Sequence, residues 1–203
     1  MSPNPTTKEK IRQKALEFFS AKGYEGTTLD DIAGACGITK PAIYYHFKDK
    51  AALYEAVTCS QFNVLEERIL RQTEEGGAKE RLRRYITTFG NFLIDNPHFS
   101  AIFSREITGG AGTLPESCTD KMSGILERLR EILDQGKTEG SFASERPFLV
   151  QMMIVTPLTA YHVSRPLREK IADKLNDPAL KEEVEFHDIV ERLADKILKA
   201  LTC

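Results

Sequence analysis

Between Thr28 and Leu53 the chain reads TLDDIAGACGITKPAIYYHFKDKAAL, two short amphipathic segments separated by a glycine. Leu29, Ile32, Ala33 and Cys36 fall at i, i+3, i+4 and i+7, the apolar stripe of one helix. Thr28 precedes the stripe and Asp31 comes three residues later, close to a capping box. Gly37 ends the segment, since glycine tolerates the left-handed conformation just past a helix end. Ile38 can plug into a core beneath the turn. Thr39 is the next N-cap residue, and Pro41 lies in the first turn of the second helix, where a missing N–H costs little. Ile43 and Phe47 are four apart and point inward.

That arrangement leaves Lys40, Ala42, Tyr44, Tyr45 and His46 on the remaining faces. A purely structural helix carries Glu, Lys and Gln outside; this one carries two tyrosines, a histidine, a lysine and a small residue. Tyrosine hydroxyls and lysines bind phosphates, and small side chains let a helix sit deep in a major groove. The pattern is that of a helix-turn-helix with Thr39–Phe47 as the recognition helix. An ordinary helical hairpin is the competing reading.

The rest of the chain is helical in period, with no strand pattern and no internal repeat. Residues 1–6 read as irregular, and a first helix runs from Thr7 to Lys22 on Ile11, Ala15, Phe18 and Phe19, stopped by Gly23. Its basic start, Lys8, Lys10, Arg12 and Lys14, is placed to reach DNA. Asp49 is a fair N-cap for a long fourth helix that runs to Gly76 and links the recognition helix to the second domain. Stripes on Leu82–Leu93, Phe99–Ile107 and Met122–Leu133 give helices five to seven, with GGAGTLP and KTEGSF as loops. An eighth helix is expected from Arg146 to Lys170, apolar nearly all round and kinked at Pro157. After a loop at 176–178, a ninth carries Phe186, Val190, Leu193 and Ile197. The expectation is an all-α chain of about nine helices: a three-helix helix-turn-helix domain over residues 1–52, then a helical ligand-binding and dimerisation domain over 53–203.

Composition removes several alternatives. In 203 residues, hydrophobic content is 41% and charged content 29%, ordinary for a soluble globular protein. The longest apolar run, 148–161, contains Gln151 and Pro157 and is too short to span a bilayer. The N-terminus lacks the apolar core of a secretory signal, so a cytoplasmic location with no membrane partner is expected. A net charge of −2 argues against a general nucleic-acid coat, while residues 1–58 carry +1 against −3 for the remainder. Cys36, Cys59, Cys118 and Cys203 are scattered and read as reduced, with no zinc spacing and no metal or cofactor implied. The four histidines, 46, 98, 162 and 187, pair with no carboxylate at useful spacing. Nucleophile-elbow, P-loop, zinc-protease and dinucleotide signatures are all missing, so an enzyme is not expected.

The stretch GYEGTTLDDIAGACGITKPAIYYHFKDKAAL resembles the N-terminal DNA-binding domain of the tetracycline-repressor-like (TetR) family. Members commonly read G-(aromatic)-x-x-T-T, I-A, G-(V/I)-(S/T) and (L/I)-Y-x-H-F-x-x-K-x-x-L, all at matching spacing here. The likeness covers about a quarter of the chain. It implies DNA contacts from Thr28, Thr39, Lys40, Pro41, Ala42, Tyr44, Tyr45, His46 and Lys50, the lysine and its neighbouring amide touching a phosphate. Pro41 departs from the residues usual at its position, which points to an apolar contact such as a thymine methyl. The resemblance further implies a homodimer on a palindromic operator, repression, and a small-molecule inducer in the second domain.

The wide apolar faces of the last two helices exceed what one small bundle needs, which fits a two-fold interface with Phe186, Val190, Leu193 and Ile197 on it. The Phe- and Met-rich positions Phe89, Phe92, Phe99, Phe103, Met122, Leu126, Met152, Met153, Tyr161 and His162 are the candidate pocket. His98 and Arg105 are further polar anchors. The alternative is a DNA-binding regulator with no inducer, controlled by a protein partner.

Overall fold

The computed structural model describes residues 5–176 and 184–202. They form ten helices and no strand: α1 (Thr7–Lys22), α2 (Leu29–Cys36), α3 (Lys40–His46), α4 (Lys50–Gln72), α5 (Ala78–Asp95), α6 (Pro97–Thr108), α7 (Glu116–Thr138), α8 (Pro147–Val163), α9 (Arg165–Leu175) and α10 (Phe186–Leu201). Most of the irregular start expected at 1–6, Asp177 and Pro178 of the expected loop, and Cys203 lie outside the described residues. Thr6 is not irregular. It is the N-cap of α1, in a capping box with Glu9.

The chain packs as two units. The first takes in the chain up to Val64 together with Ala101–Lys121; the second takes Leu65–Ser100 and the chain from Met122 onward. The first unit is therefore larger than residues 1–52. Leu53, Tyr54 and Val57 of α4 and Ile102 of α6 are buried in the same core as Ile11, Ala15, Phe19, Ile32, Ile43 and Phe47. Burying that much apolar surface on three short helices needs walls from elsewhere in the chain.

Cys59 and Cys118, expected as reduced thiols, form a disulfide inside the first unit, with Cα atoms 4.8 Å apart. Their separation of 59 residues hides the pairing from any spacing rule, because only the packed fold brings α4 and the start of α7 together.

In the second unit α10 lies along α5. Val190, Ala194, Ile197 and Leu201 are buried, as are Tyr85, Ile86, Phe89 and Leu93. Arg83 adds ion pairs to Glu191 (2.9 Å) and Asp195. This corrects the expected partner face: Val190 and Ile197 are buried within the chain's own core, while Phe186 and Leu193 are half-buried. The close approach depends on Gly90, where a Cβ would fall well inside normal contact with both Val190 methyl groups. Gly90→Ala is expected to destabilise the protein in urea titration. Overpacking costs about 1–3 kcal/mol, and a clash with a β-branched core residue sits at the upper end. That outweighs the ~1 kcal/mol returned by helix propensity.

The expected helix 146–170 is two helices, α8 and α9, with the break at Ser164 (φ −86°, ψ 4°). Pro166 in the first turn of α9 lacks an N–H and disfavours helical backbone before it, so it opens a new helix. Pro157 stays inside a continuous α8. Nor is α8 buried on every side: Val150, Ile154, Val155 and Leu158 face the core, but Phe148 (69% exposed), Leu149, Met152 and Val163 do not.

Candidate nucleic-acid interface

The helix-turn-helix is seated from the inside. The Thr28 hydroxyl accepts the Asp31 N–H (3.1 Å) and the Thr28 N–H donates to the Asp31 carboxylate (3.1 Å), which closes a capping box at the start of α2. The Thr28 hydrogen bonds hold the Asp31 carboxyl below its usual range. Gly37 comes after α2 in the left-handed region (φ 68°), with its N–H donating to Ala33 and Gly34. Helix α3 then starts after Thr39, whose side chain makes no capping bond, with Pro41 in its first turn. Ile43 (fully buried) and Phe47 anchor its inner face. Asp49 caps α4 through the Ala52 N–H at 2.7 Å.

Held this way, α3 presents Tyr44 (49% exposed) and Tyr45 (87%), with Thr39 and Pro41 also exposed and Ala42 and His46 partly so. The imidazole of His46 meets the Tyr45 ring edge-on at 5.0 Å. Lys8 of α1 lies over the Phe47 ring at 5.8 Å, which brings the basic start of α1 beside the end of α3. Exposed Lys48, absent from the expected contacts, comes directly after Phe47; its position between the recognition helix and the α4 cap is the signal that marks it.

The two expected cations differ. Lys40 pairs with Asp30 at 2.8 Å, and that hydrogen bond raises its pKa. A pair this exposed is screened by solvent and holds Lys40 only loosely. Lys50 is turned inward: its ammonium donates to the carbonyls of Tyr24 (2.9 Å) and Thr27 (3.2 Å) and sits 4.2 Å from the centroid of the Tyr24 ring. The positive charge near the N-terminus of α4 is thus stabilised by carbonyl dipoles and an aromatic face, without requiring an anion. Lys50, expected as a phosphate contact, here ties the α1–α2 turn to α4.

The expected pocket residues do not form one set. Phe89, Phe92 and Phe99 are buried in the second unit, with Phe92 and Phe99 edge to face at 5.0 Å. Met122, Leu126 and Met153 are half-buried in that unit. Phe103 belongs to the first unit, against Phe62, and Met152 is 42% exposed on the outer side of α8. Tyr161 and His162 pack on Phe186, with Arg168 over the Tyr161 ring. Arg105, expected as a ligand anchor, donates to the carbonyls of Phe19, Ser20 and Ala21 and so caps the C-terminus of α1.

Comparison with known proteins places this geometry. The model of bacterial regulatory proteins of the tetR family matches residues 11–57, and that of the tetracyclin repressor-like C-terminal domain matches 75–162. The HTH-type transcriptional regulator RutR of Escherichia coli (strain K12) is 25% identical over 194 residues, 96% of this chain and 90% of that protein. The biofilm operon icaADBC negative transcriptional regulator IcaR of Staphylococcus aureus (strain Newman) is 39% identical over 83 residues, 40% of this chain and 45% of that protein. Among solved structures, a tetR-family regulatory protein from Rhodococcus RHA1 superposes with a TM-score of 0.79 at 20% identity over 98% of this chain and 99% of that one. FadR from Bacillus subtilis, in complex with stearoyl-CoA, gives 0.73 at 17% identity over 95% and 98%. With both halves matched by models of one family and α2–α3 built as a reader of DNA, the chain belongs to the tetR family of DNA-binding transcriptional regulators.

Proposed function

We propose that this protein is a homodimeric repressor that reads a palindromic operator through α3 and releases it on binding a small, mostly apolar ligand in its second unit. The observation that carries the DNA-reading part is Tyr45, an aromatic side chain left 87% exposed on a short helix whose inner face is fully anchored. Thr39, Pro41, Ala42, Tyr44 and Tyr45 take base edges and backbone, Lys40 exchanges Asp30 for phosphate, and Lys8 and Lys48 flank them. Lys50 acts by holding the turn that leads into α2.

Support for a dimer comes from α8, where Phe148, Leu149, Met152 and Val163 leave an apolar strip exposed. That strip takes the role expected of Val190 and Ile197. Support for a ligand in the second unit comes from its aromatic core and from two buried hydroxyls, Ser100 and Thr159, with no hydrogen-bond partner among the described residues. A buried hydroxyl left unsatisfied costs about 1–3 kcal/mol, which a polar group on a ligand offsets. IcaR is a negative regulator and the FadR structure holds stearoyl-CoA, precedents for repression and for an apolar effector. The protein works in the cytoplasm, where its operator is.

Selection of bound duplexes from a random DNA pool, at stated salt, tests the reading. The expected product is a palindrome with half-sites about 34–36 Å, or one helical turn, apart. Tyr45→Ala is expected to weaken binding to that consensus by about 10- to 100-fold, the loss of one base-reading or phosphate-positioning side chain, with an unchanged melting curve. Full affinity in Tyr45→Ala, or no enrichment by folded ligand-free dimer, rejects it.

A further inference from the structure

We infer that the first unit contains a binding site of its own for a small cationic amine with a flat apolar body, formed beneath the turn between α1 and α2. A cavity of about 270 Å³ opens there, walled by Phe19, Tyr24, Tyr54 and Ile102, with Lys22, Glu25, Arg105, Glu106 and Thr113 on its polar side. The three rings are mutually braced: Phe19 meets Tyr54 edge-on at 4.9 Å, and Tyr24 meets Tyr54 at 5.0 Å.

Glu106 is the group that needs an explanation. It is 6% exposed, and among the described residues only one of its oxygens accepts a side-chain hydrogen bond. Oε1 accepts the Tyr54 hydroxyl at 2.5 Å and the Thr113 hydroxyl; no donor among the described residues reaches Oε2. A carboxylate offers about four acceptor sites, so Glu106 has acceptor capacity left to present to the cavity it lines. The nearby cations are committed elsewhere. Arg105 caps α1, Lys22 sits 3.7 Å from Asp31 and over the Phe18 ring, and Lys50 lies over the Tyr24 ring. Burial, then the hydrogen bond to Glu106, raises the pKa of Tyr54, so its phenol remains a neutral donor beside the carboxylate. Lys22 and Arg105 line the cavity, but their bonds run to Asp31 and to the α1 carbonyls rather than to Glu106; the aromatic walls are suited to surround a further cation beside Oε2.

The site is separate from the apolar ligand site proposed for the second unit and stands or falls without it. Tyr24 gives it a route to the recognition helix, because its carbonyl and ring hold Lys50 at the start of α4.

Three probes of one shape test the inference on the full chain: benzylamine, benzyl alcohol and benzoate. The chain contains no tryptophan, so its intrinsic fluorescence reports on six tyrosines alone. Benzylamine is expected to bind saturably, at least tenfold tighter than benzyl alcohol, with benzoate not binding. Nuclear Overhauser contacts are expected from the probe to the Tyr24 and Tyr54 rings. Glu106→Gln keeps an acceptor for Tyr54 and Thr113 but removes the charge, and is expected to abolish the amine preference. Equal affinity for amine and alcohol, saturation without contacts to Tyr24 or Tyr54, or no binding up to about 10 mM, where a fragment of this size should register, overturns the site. The ring contacts are read on the wild-type chain, so the test does not depend on the variant folding.

Discussion

Breaking the Cys59–Cys118 bond, with reductant or as Cys118→Ala, is expected to lower stability by about 4 kcal/mol, the loop-closure value for a cross-link spanning 59 residues. The bond joins α4 to the start of α7, and the closed loop contains all of α5 and α6. Without it the unfolded chain regains the freedom of that loop. The folded state changes less, because Cys59 (8% exposed) and Cys118 (fully buried) act as small apolar side chains once separated. The measurement is a urea midpoint with and without reductant, against the Cys59→Ala/Cys118→Ala double variant. The double variant should sit at the reduced wild-type midpoint and ignore reductant; Cys36, the free cysteine among the described residues, should contribute nothing to the difference. Coincident midpoints for oxidised and reduced wild type would contradict the cross-link.

Phe47→Ala is expected to cost about 3–5 kcal/mol, the usual range for removing a buried phenylalanine. Phe47 is 6% exposed and shares the core with Ile11, Ile43 and Leu53. It also ends α3, its N–H donating to the Ile43 carbonyl. Truncation leaves a void directly beneath the recognition helix, so stability and DNA binding should fall together. In Tyr45→Ala the two separate: binding falls while the melting curve stays. Melting curves and DNA titrations on both variants distinguish a residue that builds the recognition helix from one that reads DNA. A Phe47→Ala protein with unchanged stability would mean that α3 is not anchored through this ring.

The two tyrosine-bearing faces of α3 were readable because everything that creates them is local. The Thr28/Asp31 box spans four residues, Gly37 acts on the turn it occupies, and Ile43 and Phe47 lie one turn apart. Such signals need no knowledge of the rest of the chain, so the helix boundaries from α1 to the start of α4 and the exposure of Tyr44 and Tyr45 come from residue order, whereas α4 ends at Gln72, short of the expected Gly76. The break at Ser164 escaped that reading, which expected one helix over 146–170: Pro157 and Pro166 compete as breakers, and only the second lies in the first turn of a helix.

What residue order alone determined here is the helical class, the position of α3 and which of its side chains face outward, because caps, glycines and apolar periodicity act within one or two turns. Tertiary structure decided the rest. Whether Lys50 meets a phosphate or the carbonyls of Tyr24 and Thr27 depends on partners 26 and 23 residues away. Arg105 finds its carbonyls 84 to 86 residues back in α1, and Val190 is buried because Gly90 lets two helices touch. Each of these outcomes is a competition among partners far apart in sequence, and only the packed chain sets the distances that decide it.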